Sequence, residues 1–277
     1  MALILMECFA RSGGTLLNKC LASLPDVVMI SEVNPLGGGG GKGDSDSWLQ
    51  TVKDQAKGWY GIELKSDEYA DSIEELNNIC VQKNKKLIVR DWPYVNFVPD
   101  KQNGFKPPNK LLAYEALRDR LDVIPFCFSR NSIDVWLSRG TPEINDFFQQ
   151  YYEYVKQIDF YGMQKFKYED FVDNPDEQMQ KICKYTGLEY STLYKKYNTW
   201  DKVNGDVQLK AGSRGIRAGE IKSFKRRFIP VKQVLKLNSN VGMVKSNKAM
   251  DYNGKLKYEL YKSVKMKYNR LKKFLKK

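Results

Sequence analysis

The chain has 277 residues, enough to bury one sizeable core, and 42% apolar with 13% aromatic residues suits a globular protein. It contains no histidine, which excludes Ser-His-Asp and Cys-His catalysis and every His-ligated metal site. The formal charge of +13 is uneven: residues 231–277 hold fourteen Lys/Arg and two Asp/Glu, whereas 1–230 hold 32 basic and 31 acidic residues, which argues against a nucleic-acid-binding body and for a tail with its own task.

The first segment, Ala2-Leu3-Ile4-Leu5-Met6, reads as a buried strand, and Phe9-Ala10-Arg11-Ser12-Gly13-Gly14-Thr15-Leu16-Leu17 as a glycine turn entering a helix. The apolar run is short, lacks a basic leader and feeds straight into the turn, so it reads as a strand rather than a signal peptide. No apolar run is long enough to span a bilayer. A strand–glycine turn–helix unit aims backbone N–H groups and a helix dipole at one spot, which suits a phosphate. It serves equally as a plain turn in α/β proteins. The turn lacks the Gly-Lys-Ser/Thr ending of a kinase-type P-loop, because Arg11 precedes the glycines and Leu16 follows the hydroxyl of Thr15.

Further strands are predicted at 27–30, 86–90, 123–128 and 164–168, with helices at 14–23, 68–83, 110–120, 132–139, 143–157 and 175–186. The alternation predicts an α/β fold with a central parallel sheet flanked by helices. Pro125 implies a strand start or an edge position. The glycines of 37–41, followed by Lys42-Gly43, read as a surface loop or a mobile edge of a site. The five cysteines, Cys8, Cys20, Cys80, Cys127 and Cys183, are scattered and lack metal spacing, which points to a reducing, cytoplasmic compartment. Cys8, beside the turn, reads as a small buried residue.

After the strand at 123–128 comes Ser129-Arg130-Asn131-Ser132-Ile133-Asp134, with Ser138 two helical turns on. An arginine fork and a hydroxyl can clamp a phosphate, although Arg130 alone could be an ion-pair partner. Two later segments are Phe166-Lys167-Tyr168-Glu169-Asp170 and Gly212-Ser213-Arg214-Gly215-Ile216-Arg217. Together the four ordered segments, over roughly residues 2–227, resemble the sulfotransferases that use 3′-phosphoadenosine 5′-phosphosulfate (PAPS). Ser132 stands where that family usually has proline.

The resemblance implies a P-loop-like three-layer fold over 1–230, while the tail at 231–277 lies outside it and reads from its own charge and spacing as a basic, helical extension. It implies that Arg11, Ser12, Gly13, Gly14, Thr15 and Leu16 hold the 5′-phosphosulfate. Arg130, Ser138, Tyr168, Arg214, Gly215 and Arg217 would serve the rest of the nucleotide. The product would be 3′,5′-adenosine bisphosphate (PAP). The acceptor would be a hydroxyl or amine on a carbohydrate, lipid or small metabolite, and no metal would be needed. Without histidine the base must be Asp, Glu, Lys, Tyr or Cys, and the resemblance to branches of the family that use a glutamate implies a carboxylate. Glu32 is the first candidate and Asp91 the second, while Arg90 would steady the transferring group or pair with Asp91. Trp92 would wall the acceptor pocket or belong to the core. The alternatives are a P-loop nucleotide kinase and a non-catalytic nucleotide- or polyanion-binding module.

Leu256, Leu260, Val264, Tyr268, Leu271 and Leu275 fall on one side of a basic amphipathic helix expected over 254–277. It could pack on the body, lie on an acidic membrane surface or grip a polyanion. Oligomeric state leaves no mark in the sequence.

Overall fold

The computed structural model describes residues 2–37, 51–100, 104–200, 202–203 and 220–256. Five strands form one sheet: β1 (Leu3–Glu7), β2 (Val27–Val33), β3 (Lys86–Asp91), β4 (Val123–Ser129) and β5 (Gln164–Lys167). All pair in parallel, in the order β2-β3-β1-β4-β5. Every residue of β1 and β2 is buried, the apolar runs Leu3–Met6 and Val27–Ile30 together with the polar Glu7, Ser31 and Glu32 at their carboxyl ends. With β3 on one side of β1 and β4 on the other, a crevice lies beyond the carboxyl ends of the central strands.

The helices are α1 (Gly14–Ala22), α2 (Val52–Tyr60), α3 (Tyr69–Gln82), α4 (Tyr94–Phe97), α5 (Leu112–Leu117), α6 (Ser132–Ser138), α7 (Ile144–Phe160), α8 (Tyr168–Asp173) and α9 (Pro175–Thr186). A 3-10 segment (Thr192–Thr199), α10 (Val231–Ser239) and α11 (Val241–Ala249) follow. The chain forms two compact units, one of Met1–Arg130 and Gln157–Phe224, the other of Asn131–Lys156 and Lys225–Lys277.

The first unit is three-layered. On one face of the sheet Ile4, Met6 and Phe128 pack with Leu17 and Leu21 of α1, Phe171 of α8 and Ile182 of α9. On the other, Leu5, Ile30 and Val89 pack with Ala56 of α2, Ile73 and Leu76 of α3 and Leu117 of α5. The predicted α/β architecture with a parallel sheet is therefore present, and each predicted strand position carries a strand.

Helix α2 was not expected. Thr51 and Asp54 form a capping box at its start, and Gly61 ends it in the left-handed conformation. It covers the open edge of β2. The Gln55 amide donates to the Ser31 carbonyl (2.8 Å) and accepts from the Ser31 N–H (2.7 Å). The Tyr60 hydroxyl treats Met29 in the same way, at 2.9 and 3.0 Å. An exposed sheet edge is thereby capped by side chains.

Pro125 is neither at a strand start nor in an edge strand, because β4 lies between β1 and β5. It is tolerated because the β5 ladder begins one residue later, at Phe126. Its carbonyl instead accepts from the Tyr185 hydroxyl at 3.0 Å.

In the second unit Trp136 packs against Phe148 and donates to the Pro142 carbonyl at 2.8 Å. Asn247 of α11 accepts from both the N–H and the hydroxyl of Ser132, at 3.1 and 2.7 Å. The amphipathic helix expected over 254–277 lies, from residue 257 on, outside the described residues, and Gly254–Leu256 are not helical.

Candidate active site

The turn after β1 is built on two left-handed residues, Arg11 (φ 74) and Gly13 (φ 89), with Ser12 between them. Alternation of this kind turns successive N–H groups to one concave side. Gly13 is the N-cap of α1 without a capping side chain, so the helix end keeps its positive pole for something else. Ser12 is fully buried, and its hydroxyl has no hydrogen-bond partner. Both glycines are sterically required. A Cβ on Gly13 would overlap the Tyr168 ring, 2.8 Å from Cε2, and one on Gly14 would sit 2.5 Å from Cys8 Sγ and 2.9 Å from the Arg90 guanidinium.

Tyr168 carries Arg130. The guanidinium lies 4.7 Å from the ring centroid, and Nη1 donates to the Arg11 carbonyl at 3.4 Å. Three segments, around residues 11–13, 130 and 168, thus meet at the carboxyl ends of β1, β4 and β5.

Arg90 leaves β3 on the α1 side of the sheet. Its Nη2 pairs with Glu32, and its Nη1 lies 3.5 Å from the Thr15 hydroxyl. Both side chains of the pair are buried. Arg90 therefore pairs with Glu32 and not with Asp91, because consecutive strand residues point to opposite faces. Glu32 is also not beyond its strand. It lies within β2, at a bulge between Ser31 and Val33, with φ 53. The bulge and the left-handed backbone carry its carboxylate to Arg90. Cys8 joins this group beside Gly14, where burial pushes its thiol up to about 12 and rules it out as a nucleophile near neutrality.

No protein-family model matches the sequence, and no curated protein matches it either. Solved structures do. The sulfotransferase domain from the curacin biosynthetic pathway superposes with a TM-score of 0.55 at 15% identity, covering 91% of this chain and 98% of that one. The sulfotransferase domain from the Synechococcus PCC 7002 olefin synthase gives a TM-score of 0.55 at 13% identity, covering 91% and 95%. The chain has the sulfotransferase fold.

Within this sulfotransferase fold the remaining expected residues lie as follows. Asp134 accepts from Nε and Nη2 of Arg226, at 2.8 and 2.6 Å, inside the second unit. Ser138 closes α6 in that same unit, and Leu16 stands in the first turn of α1. Trp92 packs against Tyr94, ring centroids 5.5 Å apart. Arg214, Gly215, Arg217 and the glycine loop from residue 38 on lie outside the described residues. Among the described residues no group of three or more His, Cys, Asp or Glu could hold a metal ion.

The second candidate base, Asp91, is fully buried and faces Glu7, also fully buried, on the other side of the sheet from Arg90. Asn34 donates to Asp91 Oδ1 at 2.8 Å, but no donor reaches Asp91 Oδ2 or either oxygen of Glu7. The Tyr69 hydroxyl lies beside both carboxyls. Burial, reinforced by the neighbouring acid, pushes Glu7 well above the carboxylate range, and burial pushes Asp91 up to about 7. Both shifts favour a proton held between the two carboxyls. Sequence reading missed this pair because its members stand in different strands, and neither carries a local signal.

Raised folded-state values make the protonated form the stabilising one. The pair's contribution to stability is therefore full below the ordinary carboxylate range and falls as pH rises from about 4 through about 7. Glu7→Gln replaces the shared proton with a permanent amide donor. Thermal melts from pH 5 to 8 should show the variant gaining on wild type with rising pH, by on the order of a few kcal/mol at the top. Parallel pH profiles for the two proteins would contradict a shared proton.

Proposed function

We propose that this protein transfers a sulfuryl group from PAPS to a hydroxyl or amine acceptor, on a carbohydrate, a lipid or a small metabolite. The observation that carries the reading is the meeting of Arg130, Tyr168 and the Arg11–Thr15 turn, three segments that a nucleotide with phosphates at both ends would need together. The residues fit an anion. Ser12 offers an unsatisfied buried hydroxyl, and Gly13 opens α1 without a capping side chain, which leaves the helix N-terminus to an anion.

On this reading PAPS supplies the sulfuryl group. The S–O bond to the 5′-phosphate breaks, a bond from sulfur to the acceptor oxygen or nitrogen forms, and the acceptor proton goes to Glu32. Arg11 and the amides of Gly13, Gly14 and Thr15 stabilise the charge that collects on the departing phosphate. Arg90 lies between Thr15 and Glu32, where it orients the base and faces the oxygens of the group in flight. Asp91 is turned away from this cluster and shares its proton with Glu7, so Glu32 is the better base. Arg130 holds the 3′-phosphate, with Ser138, Arg214, Gly215 and Arg217 assigned to the same end by their motifs.

Calorimetric titration with PAP tests the reading. Wild type should bind with a resolvable heat. Arg130→Ala should bind more weakly by about 1.5–3 kcal/mol, roughly ten- to a hundredfold in Kd, as befits a charge-assisted contact. No binding at millimolar PAP would overturn the proposal.

A further inference from the structure

The second unit carries a surface that neither its own core nor the nucleotide reading uses. Along Phe228–Val241 four apolar side chains face outward: Phe228 is 67% exposed, Val231 38%, Leu235 61% and Val241 64%. Val231 and Leu235 stand one turn apart on α10, Phe228 lies in the segment just before that helix, and Val241 opens α11. The opposite face of α10 is spent on the core, where Val234 and Leu237 are buried. Single exposed apolar residues are ordinary, but four within fourteen residues are not.

These residues are set in positive charge. Residues 225–256 hold eight lysines and arginines and one acidic residue, Asp251. Arg226 is engaged by Asp134, and Lys236 lies 3.7 Å from Glu143. Lys225, Arg227, Lys232, Lys245 and Lys248 are exposed. Leu256, the last described residue before the tail, is tied to Asn238 of α10 through its N–H (2.9 Å) and its carbonyl (3.4 Å). The segment that follows, 257–277, carries nine lysines and arginines and one glutamate.

We infer that the surface around α10, with Val231 and Leu235 on the helix, Phe228 just before it, Val241 just after it and lysines around them, docks on an anionic lipid surface. The chemistry selects this occupant over three others. A polyanionic glycan or nucleic acid would reward the lysines but leave the phenylalanine and leucine wet. A second copy would bring the same lysines face to face. The tail, itself basic, would meet like charge there. A bilayer interface of acidic headgroups over acyl chains satisfies both components, with apolar side chains entering the acyl boundary and lysines staying at headgroup level. No helix among the described residues is long and apolar enough to cross a membrane, so the contact is with the surface.

The test is co-sedimentation of the full chain with vesicles of equal parts phosphatidylcholine and phosphatidylserine, against vesicles of phosphatidylcholine alone. Wild type should pellet with the acidic vesicles only, and less so as salt is raised. Phe228→Ser with Leu235→Ser should weaken that binding at least tenfold while leaving the circular dichroism spectrum and heparin retention unchanged, since no charge is lost. Lys232→Glu should weaken both vesicle and heparin binding. Three results would overturn the inference: no pelleting with acidic vesicles, pelleting of the double serine variant equal to wild type, or a wild-type dimer in sedimentation velocity that the serine variant abolishes.

Discussion

Glu32→Gln should lower sulfuryl transfer by roughly two to four orders of magnitude while leaving PAP affinity within a few-fold of wild type. The substitution keeps the shape and the acceptor oxygen facing Arg90 but removes the group that can take a proton. Its cost to the fold is bounded by the partnership it weakens. Leaving a buried guanidinium wholly unpaired costs about 3–5 kcal/mol, and the amide oxygen retains part of that contact. PAP binding is thus the control for folding, and transfer of labelled sulfate from PAPS to a panel of hydroxyl acceptors is the readout. Asp91→Asn serves as the contrast. It alters a carboxyl on the opposite face of the sheet, beside Glu7 and Asn34, so it should change pH-dependent stability more than turnover. Loss of transfer in Asp91→Asn with retention in Glu32→Gln would reverse the assignment of the base.

Gly13→Ala should damage both the fold and the nucleotide site, by about 2–5 kcal/mol in stability. Left-handed backbone at a residue with a Cβ costs about 1–3 kcal/mol. The new Cβ also overlaps the Tyr168 ring, and overpacking of this kind costs typically 1–3 kcal/mol. The ring cannot yield privately, because Arg130 lies on it. Displacing Tyr168 moves the guanidinium that the 3′-phosphate is proposed to need, so PAP affinity should fall at least tenfold even in the fraction that folds. Adding Tyr168→Ala should restore stability in part, since it relieves the overlap but not the backbone strain, and it should not restore affinity. Thermal melts and PAP titrations of the single and double variants separate the two effects. A Gly13→Ala protein that melts and binds like wild type would show that the turn is not held closed in this way.

The parts of this arrangement that the sequence discloses are those with local signals. The strand–glycine–helix unit at 3–22 shows in its apolar run and paired glycines, and the flanking strands show as short apolar stretches. Helix α2 was hidden although Thr51 and Asp54 mark its start, because the adjoining glycine loop drew the whole segment into one irregular reading. Glu32 and Arg90 were each singled out, but their partnership depends on a bulge at Glu32 that no neighbouring residue announces. Glu7 and Asp91 come together only because β1 and β3 are neighbours in the sheet. Tyr168 was expected near the nucleotide. Its part as a platform joining Gly13 to Arg130 follows from side-chain packing, which motif spacing does not encode.

The most direct measurement is a crystal structure of the PAP complex. The account predicts the 5′-phosphate on the amides of Gly13, Gly14 and Thr15, with the Arg130 guanidinium on the 3′-phosphate and Glu32 facing the space left for the acceptor. A nucleotide bound away from that turn, or bound there with Arg130 directed elsewhere, would contradict it.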